Sequence, residues 1–220
     1  MELSNFIQSR RSVRAFKSTP VSKELIEQVF GCAQSSPSYA NSQPWEVVVV
    51  TGQTRDSLSR VLYDLAQAEV TIHPDIPTPA SWPAHIDERV KEHGARRFKA
   101  LGIERTDAQA RNHLRLMNFE FFGAPCAAFF MIDEALDQWS AMDVGMYVQT
   151  TALSLHAHGL SSCLQASLAY YPNAVREHLS IPPSKKILLG MSFGYADEEA
   201  PINAYQSARV ELQRSLTIYG

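Results

Sequence analysis

Arg10, Arg11 and Arg14 place three guanidinium groups, with the hydroxyl of Ser12 among them, within five residues directly after the apolar positions Leu3, Phe6 and Ile7. A guanidinium is always charged and presents a fork of donors that matches phosphate or carboxylate oxygens two at a time. The segment therefore suits a charged, oxygen-rich ligand better than a core. Ser12 and nearby backbone N–H groups can serve neutral oxygens of the same ligand. A second polar stretch, Ser38-Tyr39-Ala40-Asn41-Ser42-Gln43-Pro44-Trp45, adds two amides and an indole just before a β-branched run. Asn41 and Gln43 border that apolar run, where their amides need hydrogen-bond partners.

Several elements must hold these groups in place. Leu3, Phe6 and Ile7 form one face of a short helix that delivers Arg10 to Arg14 at its end. Ser22 can cap a second helix reaching Gln34, and Pro37 lies beyond it. Residues 46–50 read as a buried strand, so the Asn/Gln/Pro/Trp segment lies on the loop feeding it. A helix over 54–69 follows, then Pro74, Pro77, Pro79 and Pro83, which exclude helix interior and central strand. Residues 84–101 read as a charged amphipathic helix. Thr106-Asp107-Ala108-Gln109 reads as a capping box opening a helix to Phe122. The stretch 70–105 is expected to leave the core and to offer a place for a substrate lid. Residues 129–132 extend a strand begun at Pro125, and 161–165 and 186–193 are further strands. Residues 141–158 lack a polar face and read as a helix buried on most sides, ended by Gly159. Pro172 suits the first turn of a helix over 172–179.

The 220 residues are long enough for one domain, 1–220, that buries roughly 70% of the surface of the unfolded chain. Twenty basic and 23 acidic residues leave a net charge of −3 without a basic stripe, which excludes a nucleic-acid footprint. Cys32, Cys126 and Cys163 have no CxxC spacing and read as reduced core thiols of a cytoplasmic protein. No apolar run approaches the length of a bilayer span, and no membrane partner is expected. The seven histidines show no metal-ligand spacing.

Together the two N-terminal segments resemble the start of the FMN-dependent nitroreductase family, in its nitrobenzoate-reductase-like branch. Three further stretches resemble it as well. Gly159-Leu160-Ser161-Ser162-Cys163-Leu164-Gln165-Ala166 is similar to the family segment beneath the flavin, and 187–203 to its last strand and the turn beyond. Leu116-Met117-Asn118 is similar to a helix that supplies an asparagine to the flavin. Leu164 stands where many members have proline, Ser167 where glycine or alanine is usual, and Gln206 where a second basic residue is frequent.

The resemblance implies an α+β fold of three layers, a mixed, mainly antiparallel sheet flanked by helices, in an intertwined homodimer with FMN at the interface. It implies that Arg10 and Arg209 meet the FMN phosphate, with Arg11 beside them, and that Ser12 and Arg14 serve the ribityl and ring end. It further implies that Leu164, Gln165 and Ala166 face the ring by their backbone. Asn118 contacts the ring from a helix, and Ser38, Tyr39, Asn41 and Gln43 approach it, Ser38 to Asn41 from the other subunit. The tail 201–220, with scattered apolar residues and no clean period, is expected to lie across the partner. The implied activity is ping-pong hydride transfer from NADH or NADPH, through FMN, to a nitroaromatic, quinone or similar flat acceptor. The absence of an acid–base triad and of a GxGxxG motif agrees with chemistry carried by a flavin. Reductive dehalogenation, flavin breakdown, or flavin binding without turnover are the alternatives on the same fold.

Overall fold

The apolar N-terminal face forms α1 (Leu3–Ser9), and at Arg10 the backbone turns extended, so the basic residues leave the helix as a strand-like segment. This is seen in a computed structural model that describes residues 2–220. Ser22 caps α2 (Lys23–Ala33) by accepting from the N–H of Leu25. A 3-10 turn (Tyr39–Asn41) leads to β1 (Glu46–Thr51), then α3 (Gly52–Gln67), α4 (Ala84–Ala100) and α5 (Ala108–Leu116). Next come β2 (Cys126–Asp133), α6 (Gln138–Ala157), β3 (Ser161–Gln165), α7 (Pro172–Leu179), β4 (Lys185–Gly194) and α8 (Pro201–Ala204). No described helix is long and apolar enough to cross a membrane.

The strands form one sheet in the order β1-β2-β4-β3, and all three pairings are antiparallel. Among the described residues parallel pairing is confined to a single bridge between Ser12 and Ser162, which ties the basic segment to the edge strand β3. Side chains alternate across β2. Ala127, Phe129 and Met131 enter a core with Leu58, Leu62, Phe121 and Val175. Ala128, Phe130 and Ile132 enter the opposite core with Val29, Val144, Tyr147 and Leu155. The sheet is thus the middle layer of three. At Gly190 a Cβ would fall 2.6 Å from that of Leu168, so the 3-10 turn after β3 (Ala166–Ala169) seats directly on β4.

Several sequence expectations need correction. The helix expected from Thr106 to Phe122 is capped instead by Asp107, which accepts from the N–H of Ala110, and it stops at Leu116. Phe121 and Phe122 adopt φ of 55° and 54° in a 3-10 turn. Consecutive helical side chains point about 100° apart, whereas this turn buries both rings. Helix α6 starts three residues earlier than expected because Asp137 caps it at the N–H of Trp139. It is buried on one face only, since Trp139, Met142 and Met146 are 64%, 61% and 40% exposed. Cys32 is exposed on α2, while Cys126 and Cys163 are buried thiols. Burial pushes Cys126 up to about 11.

The proline-rich stretch is irregular, as its prolines require, and Asp75 pins it down. The Asp75 carboxylate accepts from both Nη atoms of Arg176 on α7, at 2.6 and 3.0 Å, and from the N–H of Ile187 on β4 at 2.8 Å. Helix α4 beyond it has no fully buried residue.

Candidate functional site

Ending α1 at Arg10 brings the basic segment alongside β3, where the N–H of Val13 bonds the carbonyl of Ser162 at 3.0 Å. A cavity of about 610 Å³ opens there, lined by Ser9, Arg10, Arg11, Ser12, Gln149, Gln206 and Arg209, among others. The two ends of the chain thus meet, and the arginines at 10 and 209 share one space. Burial, and then the like charge of Arg209, lower the pKa of Arg10. Its Nη1 is buried and has no hydrogen-bond partner. Among the described residues no carboxylate forms an ion pair with Arg10, Arg11, Arg14 or Arg209. An unpaired, partly desolvated guanidinium beside a second one is held at an electrostatic cost that an anion in the cavity relieves.

Arg14 lies further along the segment, held by Asn203, a residue that sequence reasoning passed over. Asn203 is 3% exposed. Its Oδ1 accepts from the N–H of Arg14 at 2.7 Å, and its Nδ2 donates to the carbonyls of Ala15 and Asp197. One buried amide from α8 therefore fixes the backbone from which the Arg14 side chain projects.

Two residues of α4, His93 and Arg97, lie one helical turn apart and line neither the basic cavity nor the one beyond β3, and His93 shares a smaller cavity with Tyr205 and Arg209. His93 Nδ1 lies 3.1 Å from the Tyr205 hydroxyl. Burial first, then Arg97, Arg14 and Arg209, lower the His93 pKa. Burial and then Arg14 do the same for Arg97, whose Nε is buried without a partner. The stretch 70–105 thus meets the C-terminal tail through His93 and Tyr205. A cluster of charged residues on a helix with no buried positions carries no local signal of where it docks.

His156 behaves as His93 does. It lies 2.8 Å from Ser9 Oγ, and burial and then Arg10 lower its pKa. Both histidines ionise below the ordinary value of about 6.5 that they recover on unfolding. Below that value the unfolded chain binds more protons than the native one, so the contribution of both to stability is lost as pH falls toward their folded values. The melting temperature of ligand-free protein should therefore drop between about pH 7.5 and about pH 5.5. A His93→Gln, His156→Gln double variant should drop less, and equal drops would refute the assignment.

At the other end of β3, about 13 Å on at 3.3 Å per residue, a second cavity of about 440 Å³ is lined by Asn118, Leu164, Gln165, Ala166 and Ser167, with Tyr170 and Tyr171. Its side-chain amides are committed to one another. Gln165 Nε2 donates to the Asn118 carbonyl at 2.9 Å, and Ser167 Oγ donates to Asn118 Oδ1 at 3.2 Å. Asn118 Nδ2 donates to the carbonyl of Arg115 at 3.1 Å, and Ser192 Oγ donates to Gln165 Oε1. Leu164 and Ala166 are exposed and line this cavity.

Ser38, Tyr39, Asn41 and Gln43 line neither cavity. They sit on α6, where the Asp143 carboxylate accepts from the N–H of Tyr39 at 3.1 Å. Ser38 Oγ accepts from the N–H of Gln43, and Gln43 Nε2 donates to the carbonyl of Asn41. Asn41 and Gln43 are exposed rather than buried beside the strand, because Ala40, Asn41 and Gln43 all take positive φ and turn the loop outward. Asp143 lies six residues, about 9 Å of helix, from Gln149, which lines the basic cavity.

Residues 7–195 match the nitroreductase family. The chain is 36% identical over 203 residues to a 4-nitrobenzoate reductase of Pseudomonas putida, covering 92% of this chain and 89% of that protein. It is 37% identical over 210 residues to nitroreductase NfnB of Mycolicibacterium smegmatis, covering 95% and 89%. Among solved structures it superposes on the FMN-dependent nitroreductase NfnB from Mycobacterium smegmatis, in complex with NADPH, with a TM-score of 0.94 at 34% identity, covering 99% of this chain and 97% of that one.

Proposed function

The chain belongs to the nitroreductase family, and on that premise we propose that it is an FMN-dependent oxidoreductase that uses NAD(P)H to reduce nitroaromatic, quinone or similar flat acceptors. The observation that carries this reading is the basic cavity with the unpaired Nη1 of Arg10, lying one strand length from the cavity of Leu164, Gln165 and Ala166. An elongated ligand with an anionic head and a flat, oxygen- and nitrogen-bearing body fits that arrangement. The residues present fit FMN: Arg10 and Arg209, with Arg11, would hold its phosphate, and Ser12 the ribityl chain. Arg14 would lie at the pyrimidine edge, and Asn118, Leu164, Gln165 and Ala166 beside the ring. When bound, FMN supplies the redox chemistry, passing two electrons from NAD(P)H to the acceptor.

The protein's own contribution is binding, orientation and charge. Arg10 and Arg209 neutralise the phosphate with forked donors. Asn203 holds Arg14 in place, and the Arg14 guanidinium favours the negative charge that the pyrimidine edge gains on reduction. Arg14→Ala is therefore expected to keep most of its FMN affinity yet to be reduced more slowly by NAD(P)H, as stopped-flow absorbance would read. Unchanged reduction kinetics would remove Arg14 from this role.

The reading includes a homodimer. Exposed Trp139, Met142 and Met146 on α6, and exposed Leu212, Leu216, Ile218 and Tyr219 on the tail, are apolar groups that a partner would cover. The Ser38 to Gln43 loop, carried on the same helix, would then reach the partner's cofactor. It also includes a cytoplasmic location, where free Cys32, Cys126 and Cys163 stay reduced. Sedimentation and anaerobic NAD(P)H titration of the purified protein test it: a dimer with one FMN per chain, bleached by the donor and recoloured by a nitroaromatic, is expected. A colourless protein after reconstitution, or flavin that NAD(P)H cannot bleach, would overturn it.

A further inference from the structure

We propose that Tyr205 and His93 form a clasp that holds the Arg209 segment of the tail over the basic cavity, which makes both of them positioning residues for retention of the cofactor phosphate. The inference rests on the reading of that cavity as a phosphate site.

Very little fastens the tail to the rest of the chain. Among the described residues, one hydrogen bond and no ion pair joins 205–220 to any residue before α8, and that bond is between the Tyr205 hydroxyl and His93 Nδ1, 3.1 Å apart. The two rings also lie together, with centroids 5.6 Å apart. Within 205–220 only Tyr205 and Val210 are partly shielded from solvent, and the others are exposed. Arg209 donates from Nη1 to the carbonyls of Ser207 and Ala208, at 3.0 and 3.1 Å, so its hydrogen bonds stay within its own segment. It follows Tyr205 by four residues, at most about 14 Å of chain. The Tyr205 anchor therefore limits the space that the guanidinium can explore.

The position of the clasp gives it a consequence for binding. Tyr205 and Arg209 line both the basic cavity and the smaller cavity that His93 lines. The clasp thus sits where the two adjoin, on the wall that carries Arg209 toward Arg10. Arg10 and Arg209 repel each other while no anion lies between them. A tail without the clasp would swing Arg209 away from Arg10, and a phosphate would have to order it again on binding. The apparent dissociation constant rises as the fraction of molecules with Arg209 in place falls. His93 suits the task, because burial first, and then Arg97, Arg14 and Arg209, disfavour its charged form. A neutral imidazole keeps one accepting nitrogen for the phenol O–H.

Two readouts test the clasp, with Tyr205→Phe as the variant, which keeps the ring and removes the hydroxyl. First, FMN affinity, read by fluorescence titration, should fall roughly 2- to 13-fold, the span of about 0.5 to 1.5 kcal/mol for a neutral hydrogen bond. Riboflavin, which lacks the phosphate, should bind as it does to wild type. The effect on FMN should vanish in an Arg209→Ala background, since the clasp acts through Arg209. His93→Leu should reproduce the loss, and His93→Asn, which offers an amide oxygen in place of Nδ1, should recover part of it. Second, trypsin should cleave ligand-free Tyr205→Phe protein after Arg209 and Arg214 faster than wild type, by up to the same factor. Cleavage needs no cofactor, so it reads the clasp separately from the functional reading, which fails if the wild-type protein binds no FMN. Unchanged FMN affinity, equal losses for FMN and riboflavin, or an effect that persists in the Arg209→Ala background would overturn the proposal. Unchanged cleavage would overturn it as well.

Discussion

Arg10→Ala is expected to weaken FMN binding roughly 10- to 150-fold, the equivalent of about 1.5 to 3 kcal/mol for a hydrogen bond to a charged group. The expectation comes from what the guanidinium lacks. Its Nη1 is buried without a partner, burial and Arg209 already lower its pKa, and no carboxylate among the described residues pairs with it. The ligand-free site therefore holds two like charges close together, and a phosphate relieves both the repulsion and the unmet donor. Removing Arg10 takes away the contact and also part of the repulsion. The ligand-free Arg10→Ala protein should accordingly lose little thermal stability, while the protection that FMN adds to its melting temperature shrinks. Titration of apoprotein by flavin fluorescence measures the first effect, and thermal melts with and without FMN the second. Unchanged affinity would place the phosphate elsewhere.

Asp75→Ala should cause the largest loss of stability of any single surface-segment substitution considered, about 3 kcal/mol. Asp75 and Arg176 have side chains only 16% and 15% exposed, and their bond is bidentate. The carboxylate also takes the N–H of Ile187, at the start of β4. Truncating it leaves a partly buried guanidinium and a strand N–H without partners. Neither side chain is fully buried, so the low end of the range for broken buried pairs applies. For a chain of this length the melting temperature should fall about 6 to 12 °C. Asp75→Asn keeps an acceptor for Ile187 but not the charge, and should fall between wild type and Asp75→Ala. A shift of Asp75→Ala within about 1 °C would show that water replaces the carboxylate and that the stretch before α4 is not anchored through it.

Both predictions concern groups whose partners lie far away in sequence, and that separation divides what could be read from the chain. Ser22 as a cap, the β-branched run of β1, the prolines of the irregular stretch and the apolar face of α1 act through neighbours within a few residues. Local periodicity and turn chemistry therefore identify them. The basic segment was legible for the same reason, since three guanidinium groups within five residues concentrate charge whatever the fold. That Arg209 closes the same cavity is a fact of the fold, because the two residues lie at opposite ends of the chain and meet only when the sheet orders itself β1-β2-β4-β3.

The remaining features depended on packing. The early end of α5 follows from burying Phe121 and Phe122 together through a left-handed turn, and each ring by itself is compatible with a helix. The outward turn of Asn41 and Gln43 follows from Asp143, about a hundred residues away, which holds the Tyr39 N–H. Asn203 is an ordinary amide until its three backbone partners come from two other segments. His93 is one of several polar residues on α4, and only the docking of that helix against Tyr205 distinguishes it from its solvated neighbours. Residue types and local spacing determined which chemistry this chain can support. Long-range burial, by removing water from particular charges and leaving them unpaired, decided which side chains are placed to perform it.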